Sequence, residues 1–188
     1  LFATGAWRDI DEMHQDLIDT GVFSTELGGT FNTIATSWRK AGLINTPKVN
    51  WQNWRLLYDR QEVEAAIAEE EMVRLTIVNA PGDVVIGGEA VACQRVVEKL
   101  GKSRAYRLHY DVAIHCGEVE PFRESWWKIH HRETTPVEGL RYYSVANLDH
   151  YQASADNAAK ALTGMALNRV DFPSLIEKAY ADGVRIFV

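Results

Sequence analysis

His115 is the residue of this chain whose type and setting most suit it to chemistry. It closes the run Tyr110-Asp111-Val112-Ala113-Ile114-His115-Cys116-Gly117-Glu118-Val119-Glu120-Pro121, in which an apolar stretch stops at an imidazole and then breaks at glycine. Val112 to Ile114 have the character of the buried end of a strand, and Gly117 with Pro121 that of a turn leading into a helix. A ring at that position lies where a strand leaves the core, a frequent site for catalytic groups in α/β proteins. A satisfied, half-buried histidine is the plain alternative. Cys116 is no dyad partner, because neighbouring side chains on an extended segment point to opposite faces. His109, His130 and His131 lack metal-ligand spacing; adjacent histidines on a helix diverge, so exposed surface is expected for the pair and no metal is expected. Ser24, Ser37, Ser103, Ser125, Ser144, Ser154 and Ser174 lie in no G-x-S-x-G pattern. Gly87-Gly88 lacks the lysine and threonine of a phosphate loop.

The elements that would position these groups follow from periodicity. Residues 1–53 are expected to be mostly helical, with apolar positions at Ile10, Met13, Leu17 and Ile18 and a second amphipathic stretch from Thr33 to Ala41. A tighter rhythm follows. Trp54 to Tyr58 is strand-like, Gln61 to Glu70 helical, Val73 to Ala80 a strand, and Pro81-Gly82-Asp83 a turn into Val84-Val85-Ile86. Glu89 to Leu100 is a helix with Ala90, Cys93, Val97 and Leu100 on one face, and Arg104 to Val112 is a strand. This β-α-β-β-α-β order is the ferredoxin-like split unit. From Pro121 onward the pattern is open α/β: helix, strand Leu140 to Val145, helical Ala153 to Leu167, helix Pro173 to Ala181, and a final strand Val184 to Val188. The division expected is a larger α/β core from residues 1–53 and 113–188 with a ferredoxin-like subdomain, 54–112, inserted.

Composition excludes several classes. The 188 residues carry 46% hydrophobic and 24% charged side chains, ordinary for a globular chain. A net charge of −6 with no basic stretch argues against nucleic acid. No run reaches the roughly 18–20 apolar residues of a membrane helix, and no membrane partner is expected. Cys93 and Cys116 form no disulfide framework or CxxC motif, which points to a reducing, cytoplasmic compartment. The chain opens without methionine and closes on a β-rich run, so it is expected to be part of something longer.

The stretch Val73 to Glu89, followed by Val112-Ala113-Ile114-His115 and Glu120-Pro121, resembles the acyl-CoA:acyl-carrier-protein acyltransferase domains of fatty-acid and polyketide synthases. Tyr142-Tyr143-Ser144, Val170-Asp171-Phe172 and Asp182 to Val188 fall in the same family order. Gly5-Ala6-Trp7, Arg39 to Leu43 and Tyr110 to Cys116 are most similar to the acyltransferases of iterative multienzymes such as polyunsaturated-fatty-acid synthases. The resemblance implies an open, mostly parallel sheet of an α/β-hydrolase-like core, present in part, with the inserted ferredoxin-like subdomain. It implies His115 as general base to a serine that attacks an acyl-CoA thioester. That serine is expected shortly before Leu1, since Leu1 to Gly5 resembles the helix after the nucleophile elbow. No bound cofactor is implied. The substrates are acyl-CoA and the phosphopantetheine of an acyl carrier protein, and the partners are that protein and neighbouring synthase domains. Asn79 matches the family's Asn-x-Pro asparagine at the active-site rim, or is simply a turn residue. Val112 and Ile114 occupy the selectivity positions around x-Ala-x-His, implied substrate contacts, and match neither known version. The malonate-binding arginine expected on the helix at Asp11 to Asp19 is absent, with Arg8 and Arg39 outside it. Lys102 and Arg104 fit CoA phosphates or an acidic carrier protein, though a solvated face is the plainer explanation. A non-catalytic scaffold or carrier-docking domain of the same multienzyme is the alternative function.

Overall fold

A computed structural model describes residues 2–7 and 9–188; expectations placed on Leu1 and Arg8 fall outside the described residues. The chain is built as α1 (Ile10–Asp19), α2 (Asn32–Lys40), β1 (Trp51–Leu56), α3 (Arg60–Ile67), β2 (Val73–Ala80), β3 (Asp83–Glu89), α4 (Ala90–Leu100), β4 (Ala105–Leu108), α5 (Arg123–His130), β5 (Tyr142–Ser144), β6 (Asp149–Tyr151), α6 (Ala155–Leu167), β7 (Val170–Asp171) and α7 (Phe172–Ala181). Short turns of helix at Phe2–Thr4, Val22–Glu26, Lys102–Arg104 and Gly117–Phe122 complete it.

Five strands form one sheet in the order β4-β1-β3-β2-β7. The first four are antiparallel, and β7 joins β2 in parallel at Ile77↔Val170 and Val78↔Asp171. The β-α-β-β-α-β unit therefore closes as its periodicity requires. Helix α3 begins with a capping box, Asp59 and Glu62 satisfying each other's backbone N–H groups, and α4 is capped by the Glu89 carboxylate on the Ala92 N–H at 2.9 Å. Val63 and Ala66 of α3 and Ala92, Cys93, Val96 and Val97 of α4 lie against Leu56, Val84 and Ile86 on one sheet face.

The opposite face of the sheet is half of a second core. Alternation along β1 sends Leu56 to the helices and Trp51 and Asn53 the other way. Trp51 stacks on Trp38 of α2 at 5.9 Å between ring centroids, and around this pair gather Val22, Leu27, Phe31, Ile34, Val119, Phe122, Trp126 and Ala166. This cluster is the floor on which the segment bearing His115 lies.

Several expected elements differ. The strand expected over Arg104 to Val112 pairs only across Ala105–Leu108; residues 111–114 continue as unladdered chain, because their backbone groups find partners in Leu27 and Asn53 rather than in a strand. Residues 184–188 are likewise not laddered. Among the described residues, parallel pairing is confined to β2 and β7, and β5 pairs antiparallel with β6. The α/β class with its inserted ferredoxin-like unit holds, but the one parallel pair among the described residues joins β7 to β2 of that unit, and no parallel sheet of the larger core is formed among them. No helix among the described residues is long and apolar enough to cross a membrane.

Candidate active site

His115 has a left-handed backbone, φ 63°, one of three non-glycine residues with positive φ among those described. Such a conformation costs an L-residue on the order of 1–2 kcal/mol and persists only where the surroundings hold it. The holding is visible. His115 N–H donates to the Ala166 carbonyl at 2.7 Å and Cys116 N–H to the same oxygen at 3.3 Å. The imidazole Nδ1 lies 2.7 Å from the Met165 carbonyl oxygen. All three bonds end on the last turn of α6, whose final carbonyls have no partner within their own helix. The strained histidine thus caps the Met165 and Ala166 carbonyls at the end of α6, while Asn168, the helix's own C-cap residue, serves Gly164.

This geometry decides the tautomer. A carbonyl oxygen only accepts, so Nδ1 carries the hydrogen and the neutral ring presents a lone pair at Nε2. Nε2 makes no hydrogen bond among the described residues. Burial pulls the imidazole below its ordinary pKa, and the bond to Met165 offsets only part of that shift. The ring is therefore neutral at physiological pH and able to take a proton at Nε2. Once it does, the partial negative charge at the end of α6 favours the imidazolium.

The neighbours of His115 are buried and polar. Cys116 is 4% exposed; burial, then the Glu118 carboxylate, push its thiol well above the ordinary range, which excludes a thiolate nucleophile. Glu118 is 5% exposed, with Oε1 accepting from Arg74 of β2 at 2.7 Å and from the Trp38 indole at 3.5 Å, while Oε2 has no partner among the described residues. This ion pair ties the sheet to the segment after His115.

The other expected site residues are dispersed. Val112 and Ile114 are half-buried and pack on the Trp38–Trp51 core. Asn79 stands exposed at the β2–β3 hairpin, its side-chain amide donating to Asp83 at 3.2 Å, and Asp83 also holds Arg55. Lys102 is exposed and pairs with Glu98 at 3.0 Å; Arg104 lies over the Tyr58 ring, 4.0 Å from its centroid. No hydrogen bond connects a described serine to His115; Ser144 and Ser154, for example, cap local turns. The helix that lacks an arginine, α1, instead receives Arg132, which bonds Glu12 and Asp16.

One expectation is overturned. His130 is buried, not exposed, because α5 turns it onto Trp7 and Trp126, with Nδ1 donating to the Trp126 carbonyl at 2.6 Å. His131 does face solvent, stacked on Trp127.

Sequence reasoning missed Asn53 and the Arg74–Glu118 pair. The signal for Asn53 was its alternation with Trp51, a polar residue at an inward position, hidden when the strand is begun at Trp54.

Comparison with solved structures defines the class of this fold: it is that of acyltransferase and transacylase domains. A malonyl-CoA:acyl carrier protein transacylase from Xanthomonas oryzae pv. oryzae superposes with a TM-score of 0.63 at 18% identity, over 91% of this chain and 55% of that one. The malonyl CoA-acyl carrier protein transacylase of Clostridium perfringens gives 0.60 at 23% identity, over 89% and 54%. An acyltransferase domain of the salinomycin polyketide synthase gives 0.58 at 19%, over 89% and 38%. Among curated proteins the chain is similar to a polyunsaturated fatty acid synthase polypeptide of Thraustochytrium sp., 27% identical over 193 aligned positions. That alignment takes in 96% of this chain and 9% of the synthase polypeptide, so the chain spans a small part of that relative. No family profile matches the chain.

Proposed function

We propose that this chain is the C-terminal part of an acyltransferase domain in a multienzyme synthase. The domain moves a malonyl or related acyl group from CoA to the phosphopantetheine thiol of an acyl carrier protein. The observation that carries the reading is the cap of α6 by His115, which leaves a neutral imidazole with its Nε2 lone pair free. The fold shared with transacylases supports it, as does one malonyl-transacylase solved with its acyl-carrier protein, at TM-score 0.63 and 20% identity over 82% of this chain and 50% of that one. Residues 1–53 and 113–188 then belong to the larger core and 54–112 to the inserted subdomain. Both cysteines are free and buried, in keeping with a cytoplasmic enzyme.

The mechanism is a ping-pong cycle. A serine upstream of this segment attacks the thioester carbonyl carbon while Nε2 of His115 takes the hydroxyl proton; the C–S bond breaks and the departing CoA sulfur takes that proton. The carrier thiol next attacks the serine ester, its proton passing to Nε2 and from there to the serine oxygen as the ester C–O bond breaks. Val112 and Ile114 border the acyl group on the segment that ends at His115. Lys102 and Arg104 offer exposed cations to CoA phosphates or the carrier. Asn79 serves the hairpin, since its amide is engaged by Asp83.

The test is covalent labelling of the full polypeptide that carries this segment with radiolabelled malonyl-CoA and, separately, acetyl-CoA, with and without His115→Ala. Rapid label that drops by about 10²- to 10⁴-fold in the variant is expected. No label from either thioester in folded protein would replace this reading with that of a docking scaffold.

A further inference from the structure

A row of residues crosses the sheet on the face toward His115. Register places Leu108 of β4 beside Asn53 of β1, Asn53 beside Gly87 of β3, and Gly87 beside Arg74 of β2. Asn53 is 5% exposed, and every polar atom of its side chain is engaged. The Trp51 indole N–H, which can only donate, bonds Oδ1 at 2.9 Å. The amide nitrogen is thereby turned outward, and it donates to the carbonyls of Tyr110 at 3.2 Å and Val112 at 3.0 Å. Gly87 makes room for this: a Cβ there would come within 2.7 Å of Asn53 Oδ1 and of the Trp51 ring.

Residues 110–115 have no strand partner, so discrete tethers, together with the packing of Val112, Ala113 and Ile114 on the core, set their path. Asn53 holds the carbonyls of Tyr110 and Val112, Leu27 holds the Ala113 N–H at 2.7 Å, and Ala166 holds the His115 N–H. Arg107 also reaches the segment, bonding the Asp111 carboxylate at 2.6 Å, but among the described side chains Asn53 is the one that holds its backbone carbonyls. Its contribution is directional, because two donors on a fixed amide locate two carbonyls of the same short segment.

We propose that Asn53 is a positioning residue for His115, its amide clamping the Tyr110 and Val112 carbonyls so that the segment delivers the imidazole to the end of α6. The proposal rests on the reading of His115 as the general base. Misplacement of a base by about 1 Å costs on the order of 10²-fold in the chemical step and leaves ground-state binding largely intact.

The experiment uses the full polypeptide with Asn53→Ser, which cannot span both carbonyls, and Asn53→Asp, which keeps the size and the Trp51 bond but turns an acceptor toward two acceptors. Acyl transfer is measured per folded molecule, and carbethoxylation of each histidine by diethyl pyrocarbonate at pH 8 is followed by peptide mass spectrometry. The expected result is a kcat lower by about 10- to 100-fold with KM for acyl-CoA within about twofold of the parent. His115 alone should be modified faster, while the other histidines keep their rates; a general loss of packing would accelerate buried His130 as well. Parent-like kcat together with parent-like His115 modification in either folded variant would overturn the proposal. His115→Ala is assayed alongside. If it transfers acyl groups normally while the Asn53 variants still release His115, the base assignment fails and the clamp stands.

Discussion

An imidazole whose Nδ1 hydrogen is committed to a backbone carbonyl has one nitrogen left for chemistry, and in the role proposed for His115 its protonation state controls acyl transfer. Burial lowers the pKa of His115 from the ordinary imidazole value of about 6.5. Only the neutral form accepts a proton, so a lowered pKa extends activity toward acid. The acid limb of the kcat/KM profile for acyl transfer is accordingly expected at a midpoint below 6.5; a midpoint above it would show that charge, not burial, dominates around the ring. His130 is lowered for the same first cause, burial, with the Arg132 charge adding to it. For both rings the linkage has one sign. Above about pH 6.5 both folded and unfolded chains are neutral and the histidines are silent. As pH falls through that value the unfolded chain takes protons first, so stability declines with falling pH until the folded-state pKa is reached. Replacing His130 with phenylalanine should flatten this decline, measured as urea midpoints between pH 7 and 5.

At the scale of elements, the site depends on α6 and on the β1–β3 pair. Helix α6 starts at Ser154, whose hydroxyl accepts the Asn157 N–H at 3.1 Å. Ser154→Ala should cost about 1 kcal/mol, as cap removals do. A chain of this size would show that as roughly a 2–4 °C lower Tm. Activity per folded molecule should persist, because the His115 partners sit at the opposite end of the helix. Gly87→Ala is the contrasting case. Its backbone is unstrained, yet the added Cβ would press on Asn53 and Trp51, an overpacking that costs about 1–3 kcal/mol. Its effect should reach His115, read as a fall in kcat beyond what the loss of folded protein explains. The helices and strands themselves were largely legible, since apolar spacing along α3, α4, β2 and β3 marks their buried faces. The run to His115 was misjudged as ladder because an extended apolar segment has the same composition whether its carbonyls face a strand or a single asparagine.

Across the whole molecule, two hydrophobic clusters on opposite faces of one sheet are linked by Arg74 and Glu118. Glu118 is almost fully buried and Arg74 is over a third exposed at its side chain. Removing the arginine strands a carboxylate. Arg74→Met should therefore destabilise on the order of 2–3 kcal/mol, below the roughly 3–5 of fully buried pairs because solvent reaches the guanidinium. Glu118→Leu together with Arg74→Met should recover most of that loss, and denaturant titration of the single and double variants measures it. Full additivity of the two losses would mean the residues do not interact.

Taken alone, the sequence determined the alternation of helix and strand, the ferredoxin-like order, the place of His115 at the end of an apolar run, and the absence of a serine elbow in these residues. Those are properties of neighbours along the chain, and local periodicity encodes them. Tertiary structure alone decided which nitrogen of His115 is free, through a carbonyl 50 residues away. It likewise decided the Asn53 clamp across separations of 57 and 59 residues, and the burial of His130 between Trp7 and Trp126. Periodicity tells which face of an element is buried, but a hydrogen bond needs its partner's position to within a fraction of an ångström, and that is set only when the elements pack.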